Sequence, residues 1–170
     1  LALHPRETPD VQFKRAVRLA LAETAGDVLC FLPGKAEIDR AARLVADVEA
    51  QIDILHGELG IEEQARILEP ALRRRVVLAT NVAESSVTLP GVCAVVDTGL
   101  AREPRFDPAS GMSRLETVAI AQSAATQRAG RAGRVAPGRC YRLWPRSRRL
   151  ESSARPELHF RTSILRQRTL

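Results

Sequence analysis

The chain is poor in aromatic residues and in methionine. Its 170 residues include four Phe, one Tyr, one Trp and one Met, and aromatic residues make up 4% of the total. Hydrophobic residues nonetheless make up 45%, which is typical of a globular fold and excludes a disordered chain. A chain of this length suits one domain with a sizeable core. We therefore expect a core built from Ala, Val, Leu and Ile.

The sequence also lacks the patterns of disulfide-bonded, zinc-binding and membrane proteins. Cys30, Cys93 and Cys140 lie far apart and form no C-x-x-C pair, so we expect free thiols in a reducing, cytoplasmic compartment. The three histidines do not have the spacing of metal ligands, and no metal site is expected. No segment approaches the roughly 18 apolar residues of a membrane span, and no signal peptide is recognisable. Because the chain starts at Leu1 rather than Met, we expect it to be a fragment of a longer protein.

Acidic residues are in deficit, most clearly in one stretch. The formal net charge is +6 and the sequence pI is about 10.2. No Asp or Glu occurs between Thr117 and Leu150. The arginines of that stretch are Arg128, Arg131, Arg134, Arg139, Arg142, Arg146, Arg148 and Arg149. Unpaired arginines repel one another unless an anion binds, and a basic balance favours a polyanionic partner. The composition alone fits a nucleic-acid partner and a merely basic surface equally well.

Apolar patterns of helical and strand type alternate along most of the chain. Helices are predicted for residues 9–22, 35–50, 61–68 and 123–131, and strands for 27–32, 52–55, 75–79, 92–96 and 139–144. A hairpin is predicted with arms 102–106 and 114–120. The alternation predicts an α/β fold with a parallel sheet and helices on both faces. In such sheets the functional residues lie in the loops that follow the carboxyl ends of the strands.

The strongest chemical signal is segment 127–134, QRAGRAGR. On a helix, positions i, i+4 and i+7 share one face, which here would carry Gln127, Arg131 and Arg134. The forked donors of guanidinium groups fit phosphoryl oxygens, and the amide would orient a water. A solvated basic helix end, favoured by the helix dipole, is the alternative. The two intervening glycines each cost a helix roughly 1 kcal/mol relative to Ala, which favours the phosphate-binding interpretation because glycine permits close approach.

A second signal is segment 79–89, ATNVAESSVTL, directly after a predicted strand. Its hydroxyl and amide groups suit contacts with phosphates and sugars. Taken alone, the segment is explained more simply as a capped turn, with Thr80, Asn81 or Ser85 as the N-cap.

A third signal is FLPG, residues 31–34, at the end of the first predicted strand. Gly34 would let the backbone of a ligand come near, and an ordinary strand-to-helix turn explains it equally well. Gly34-Lys35 is not a phosphate-binding loop, because the upstream Gly and the following Ser or Thr are missing. The sequence also contains no Asp-Glu dipeptide of the magnesium-binding kind.

In this order, the three segments resemble the later motifs of DEAH-box helicases. FLPG resembles motif IV, LATNVAESSVTLPGV resembles motif V, and QRAGRAGR is a full match to motif VI. VVDTG resembles the segment that follows motif V, while LHGEL and RFDPASGMSRLETV are most similar to the bacterial HrpB-type subfamily. The resemblance covers roughly residues 8–144. It implies a RecA-like fold with a hairpin insertion, and the second of the two lobes of a nucleic-acid helicase.

The resemblance also implies roles on the nucleotide side. Arg131 and Arg134 would be arginine fingers that reach the γ-phosphate of ATP, and Gln127 would contact that phosphate or the attacking water. Ser86 would lie towards the nucleotide and Thr88 near the ribose. ATP and Mg²⁺ would be held mainly by the preceding lobe, whose phosphate-loop and magnesium motifs this sequence lacks.

On the nucleic-acid side, the resemblance implies that Thr80 and Asn81 contact the backbone and that Gly34 lies along the strand path. The hairpin would part or guide the duplex, with RNA favoured over DNA. The implied domain limits are a linker at 1–8, the RecA-like domain at 9–145, and a linker or stub of a next domain at 146–170. Two other classes stay open, namely a non-catalytic basic nucleic-acid-binding module and a lobe that regulates a separate ATPase in trans.

Overall fold

A six-stranded sheet forms the centre of the protein in a computed structural model that describes residues 7–85, 87–108, 111–134, 137–144 and 160–165. The strands are β1 (Asp27–Phe31), β2 (Gln51–Leu55), β3 (Arg75–Ala79), β4 (Val92–Asp97), β5 (Leu100–Asp107), β6 (Met112–Ala119), β7 (Gly138–Leu143) and β8 (Phe160–Leu165). The helices are α1 (Pro9–Glu23), α2 (Lys35–Leu44), α3 (Ile61–Leu68), α4 (Val82–Ser85) and α5 (Gln122–Gly130). Among the described residues, no helix combines the length and the apolar character needed to cross a bilayer.

The strand order in the sheet is β2-β3-β1-β4-β7-β8. Neighbouring strands run parallel, except that β8 pairs antiparallel with β7 at the edge. β5 and β6 pair only with each other, as an antiparallel hairpin outside the main sheet. The predicted α/β class, with a mainly parallel sheet and an inserted hairpin, is confirmed.

Helices cover both faces of the sheet, which is why the central strands are apolar throughout. β1 and β3 are buried at every residue, as expected for strands packed on both sides. Val28 and Cys30 of β1 belong to a cluster that includes residues of α1 and α2. Leu29 and Phe31 point the other way, into a cluster with residues of α3, α4 and α5. The period of two along the strand therefore divides the core into two halves.

Two parts of the chain differ from the prediction. The helix predicted for 35–50 ends at Leu44, and turns connect it to β2. Val45 is buried, and Val48 and Ala50 pack against the same core cluster, so the apolar spacing continued past the helix without being helical. In the tail, predicted as a linker or stub, the backbone of β8 pairs with β7. The domain limits themselves stay a prediction.

The base of the hairpin packs on a small apolar cluster of its own. Ala101 and Ile120, at the start of β5 and just after β6, lie with Ala125 of α5 and Trp144. Gly99, just before β5, has a positive φ of 71°, and a Cβ there would lie 2.6 Å from the indole ring of Trp144. Glycine is thus required at this position both by backbone conformation and by space.

Candidate functional site

Two of the loops singled out from the sequence, those after β1 and β3, lie at the edge of the sheet where the parallel strands end. The loop after β1 is fixed to its neighbours by two hydrogen bonds, from the Leu32 N–H to the Ala79 carbonyl at 2.8 Å and from the Thr98 N–H to the Phe31 carbonyl at 3.3 Å. The Thr80 N–H donates to the Leu55 carbonyl at 3.1 Å. Gly34, Thr80 and Asn81 follow these strand ends directly, so they lie at the edge where ligands bind in open α/β sheets.

The loop that follows α4 meets the arginines at the end of α5. Arg134 Nη1 donates to the hydroxyl of Thr88 at 3.2 Å, and both residues are exposed. The Arg131 guanidinium donates to the backbone carbonyls of Glu84 and Val87. The structure thus brings together three residues predicted to face the nucleotide, Thr88, Arg131 and Arg134.

The end of α5 does not form the single helical face that the spacing predicts. The α-helix ends at Gly130, and the next hydrogen bonds join residues three apart, such as Arg131 N–H to the Arg128 carbonyl at 3.1 Å. Glycines disfavour the helix interior, and this segment tightens into 3₁₀-type turns instead. Gln127 is exposed on α5, whereas Arg131 is 6% exposed. The prediction of one common face is therefore wrong, although Arg131 and Arg134 still converge on the same loop.

Among the described residues, no carboxylate forms a direct ion pair with Arg131 or Arg134. Burial lowers the pKa of Arg131, repulsion by Arg134 lowers it further, and Glu84 acts in the opposite direction. Within the described part of the chain, the hydrogen-bond acceptors of both side chains are backbone carbonyls and a hydroxyl. Two close guanidinium groups with neutral acceptors form a site that an anion would stabilise.

Arg128, by contrast, is fully buried and paired. Its Nε donates to Glu84 Oε1 at 2.7 Å, and its Nη1 donates to Asp97 Oδ1 at 2.9 Å and to the Leu100 carbonyl at 3.2 Å. The guanidinium also lies 4.8 Å from the ring centroid of Phe31, within the range of a cation–π contact. Sequence reasoning assigned no role to this arginine.

Burial raises the pKa of Asp97, while the charge of Arg128 and the Gly99 N–H, which donates to Oδ1 at 2.9 Å, oppose that rise. The other carboxylate oxygen, Oδ2, is buried and accepts no hydrogen bond from any described residue. Asp97 is thus a buried carboxylate held mainly by Arg128.

The expectation that the arginines of the acid-free stretch are unpaired is wrong for Arg128 and also for Arg139, which pairs with Glu23. The acids lie far away in sequence, 31 and 44 residues from Arg128, so a local scan of charge misses them. One signal was available, because Asp97 ends a strand that is otherwise apolar and buried.

The residues predicted to contact nucleic acid occupy less open positions. Gly34 is buried, and a Cβ there would lie 2.9 Å from Arg102 Nε and 3.1 Å from Glu37 Oε2. The side chain of Arg102 therefore fills the space that a ligand backbone would use, although its end is flexible. Asn81 is exposed and Thr80 is half-buried. Their contacts with nucleic acid stay predictions.

Two further expectations concern residues that would contact the nucleotide and residues that would bind a metal ion. Ser86, expected to lie towards the nucleotide, falls outside the described residues. In the part of the chain that the structure describes, no group of three or more His, Cys, Asp or Glu side chains is arranged to hold a metal ion.

Comparisons with known proteins agree with this geometry. Residues 12–136 match the family model described as the helicase conserved C-terminal domain. The chain is 45% identical over 136 residues to the chloroplastic ATP-dependent RNA helicase DEAH12 of Arabidopsis thaliana, a match that covers 79% of this chain and 8% of the relative. It is 41% identical over 149 residues to the pre-mRNA-splicing ATP-dependent RNA helicase prp22 of Schizosaccharomyces pombe, covering 81% of this chain and 13% of that one.

A solved structure gives the same result. The E. coli DExH-box NTPase HrpB is similar with a TM-score of 0.76 and 36% identity, over 92% of this chain and 20% of that protein. The RecA-like fold expected from the motifs is therefore confirmed. The chain spans only a small part of the length of each of these relatives.

Proposed function

The chain belongs to the family of helicase conserved C-terminal domains, and on that basis we propose that it is the second RecA-like lobe of an ATP-dependent RNA helicase. In this proposal a preceding lobe holds ATP and Mg²⁺, and the present lobe supplies arginine fingers and contacts to the nucleic-acid backbone. The observation that carries the proposal is the pair Arg131 and Arg134 at the loop that follows α4.

Arg134 is the better placed of the two to bind a phosphate from another lobe. It is exposed, and its described hydrogen bond is to the neutral hydroxyl of Thr88. Its charge would therefore reach a phosphoryl oxygen without breaking an ion pair. Arg131 holds the carbonyls of Glu84 and Val87, so it would fix the loop beside the phosphate as well as add charge. Such pre-placed donors stabilise the charge that develops in phosphoryl transfer.

The remaining residues fit supporting roles. Gln127, exposed on α5, would orient the attacking water or contact the γ-phosphate. Ser86 and Thr88 would face the nucleotide and its ribose. Mg²⁺ would be held mainly by the preceding lobe, and when bound it would neutralise charge on the phosphates. Closure of the two lobes around the γ-phosphate, followed by opening after hydrolysis, would bias the two states through the contacts of Arg131 and Arg134.

Nucleic acid would cross the edge of the sheet near Gly34, Thr80 and Asn81 and reach the hairpin. Backbone contacts of this kind carry little sequence information. The hairpin supports the proposal because the register places Pro104 opposite Leu115 and Phe106 opposite Ser113, on one face.

That hairpin face is open and carries apolar side chains toward the tip. Phe106 is 66% exposed and Leu115 is 65% exposed, while the charged residues Arg105, Arg114 and Glu116 alternate onto the other face. An open apolar and aromatic face suits unpaired bases, which supports single-stranded nucleic acid as the partner. RNA in preference to DNA is proposed from the RNA helicases among the relatives.

The test is RNA-stimulated ATP hydrolysis by the full-length protein that carries this chain. Arg131→Ala or Arg134→Ala is expected to lower turnover by about 10³- to 10⁵-fold, the usual effect of an arginine finger, with the unfolding transition retained. Arg139→Ala is the matched control, because Arg139 lies in the same arginine-rich stretch but pairs with Glu23. Wild-type turnover in Arg134→Ala would contradict the proposal and favour a non-catalytic binding module.

A further inference from the structure

In the described part of the chain, the hairpin contacts the rest of the domain at its base and through Arg102, whose Nη2 lies 3.5 Å from Glu37 Oε1 of α2. β5 and β6 form a separate two-stranded sheet, and the pairing runs from Leu100 opposite Ala119 to Asp107 opposite Met112. The Ile120 N–H donates to the Gly99 carbonyl at 3.1 Å and closes the base. Movement of the hairpin as a body is therefore governed mainly by the buried contacts at this base, since the Arg102–Glu37 pair is partly exposed.

The base is joined to α5 in two ways. β6 ends at Ala119 and α5 begins at Gln122, so the chain passes from the hairpin into the helix almost without a linker. In addition, Ala125 of α5 packs with Ala101, Ile120 and Trp144. The amino-terminal half of α5 and the hairpin base thus share one apolar cluster.

Arg128 adds a polar link one turn further along α5. Its Nη1 donates both to Asp97 Oδ1 and to the carbonyl of Leu100, the first residue of β5, while its Nε donates to Glu84. One guanidinium therefore joins α5, α4, the end of β4 and the first residue of the hairpin. Arg131, which is proposed to act at the phosphate, lies three residues beyond it.

Resting on the proposed function, we propose that Arg128 is a positioning residue that holds the hairpin and α5 as one body, so that movement of α5 at the nucleotide also moves the hairpin. Each hairpin arm has eight residues, which at about 3.3 Å per residue is roughly 26 Å of reach. A rotation of α5 by about 10° would displace the hairpin tip by roughly 4–5 Å over that reach, which is about the spacing of neighbouring strands.

Arginine suits this role because its planar fork bonds several acceptors in fixed directions. Lysine would keep the charge but, as a single ammonium group, would not hold Glu84, Asp97 and the Leu100 carbonyl in the same geometry. Buried ion pairs are often no more stabilising than apolar residues of similar size. The hydrogen bonds of Arg128 are therefore expected to fix the position of the hairpin relative to α5 more than to raise the unfolding free energy.

The first test measures the position of the hairpin relative to the sheet and its helices directly in the full-length protein. Spin labels on cysteines introduced at Ser113, near the hairpin tip, and at Asp39, exposed on α2, report the distance distribution between hairpin and sheet, with Cys93→Ala in the background. Arg128→Lys is expected to broaden that distribution. Arg75→Lys is the matched control, because Arg75 is equally buried, donates to Asp27, Ile67 and Glu69, and lies at the opposite edge of the sheet.

The second test measures base pairs unwound per ATP hydrolysed. Arg128→Lys is expected to lower this ratio by about 2- to 30-fold, the range for residues that carry coupling between two sites. Arg75→Lys is expected to leave the ratio unchanged even where it lowers thermal stability by a similar amount. If Arg128→Lys does not fold, Asp97→Asn replaces it, since Asn retains an acceptor for the Gly99 N–H while weakening the hold on Arg128.

The outcomes separate the two proposals. A wild-type distance distribution or a wild-type ratio in a folded Arg128→Lys, or in Asp97→Asn, would overturn the role of Arg128, as would an equal change in Arg75→Lys. Absence of RNA-stimulated ATP hydrolysis in the wild-type protein would refute the proposed function instead. In that event the distance distribution would still decide whether Arg128 holds the hairpin to α5.

Discussion

Replacing Gly99 by Ala perturbs the hairpin base in two separable ways. The φ of Gly99 is +71°, in the left-handed region that costs an L-residue about 1–2 kcal/mol. The added Cβ would also lie 2.6 Å from Cε3 and 3.0 Å from Cδ2 and Cζ3 of Trp144. The indole is 5% exposed and packed on its cluster, so it has little room to shift.

The expected loss follows from adding these two effects. Overpacking of a close-packed core typically costs about 1–3 kcal/mol, so the conformational and steric costs sum to about 2–5 kcal/mol of unfolding free energy for Gly99→Ala. Gly111→Ala is the matched control, because Gly111 has a similar φ of +66° but no described residue lies within 4 Å of its Cβ position. That variant should lose only the conformational part, about 1–2 kcal/mol.

The assay is urea unfolding followed by circular dichroism, with the melting temperature as a second measure. At about 2–4 °C per kcal/mol for a domain of this size, Gly99→Ala should melt roughly 4–20 °C lower. Trp144→Leu in the Gly99→Ala background should recover part of the loss, which appears as a coupling energy in a double-mutant cycle. A Gly99→Ala loss no larger than that of Gly111→Ala would refute the steric argument.

Two further predictions concern α5 and the end of α1. Gly130→Ala should raise the unfolding free energy by about 0.5–1 kcal/mol, because Gly130 is the last residue of α5 and no described residue lies within 4 Å of its Cβ position. ATP turnover of the full-length protein should nonetheless fall if a phosphate approaches this backbone, and a stabilised, fully active variant would contradict close approach. The pKa of Glu23 is lowered, mainly by the hydrogen bond from Tyr141 and then by Arg139, against desolvation. The contribution of ionised Glu23 to the unfolding free energy is therefore fully present above the unfolded pKa of about 4.3. That contribution is lost as the pH falls through the lower folded pKa. Glu23→Gln should therefore lower the unfolding free energy at pH 7 by about 0.5 kcal/mol, since the pair is partly exposed, and by less near pH 3; an equal loss at both pH values would contradict the linkage.

The regular elements were predictable because their signals are local. The limits of α3 and β3 agree with the predicted ranges 61–68 and 75–79, since periodicity and the turn residues around them coincide. Local signals were insufficient at Val45 and Val48, where burial persists after the helix ends. Apolar spacing indicates which residues face the core, but a turn that packs on the core can have the same spacing as a helix.

The candidate site was predicted less completely, because its charges are paired over long sequence distances. The meeting of Thr88 with Arg134 joins the segments that lead into β4 and β7, and it depends on those two strands being neighbours in the sheet. The pairing of Arg128 with Glu84 and Asp97 depends on which strand lies beside which helix. That order is a property of the topology, and the sequence of the segment itself does not contain it.

The three arginines of the segment differ in environment for a geometric reason. They are spaced by three, but only Arg128 lies within α5, which ends at Gly130 before the chain tightens into 3₁₀-type turns. Arg128 therefore points into the core at 0% side-chain exposure, Arg131 lies at its margin at 6%, and Arg134, beyond the helix, is exposed. A buried arginine without acids would be too costly, so Glu84 and Asp97 are needed to hold the first one. The segment thus has one arginine that is paired inside the fold and two whose described hydrogen-bond acceptors are uncharged.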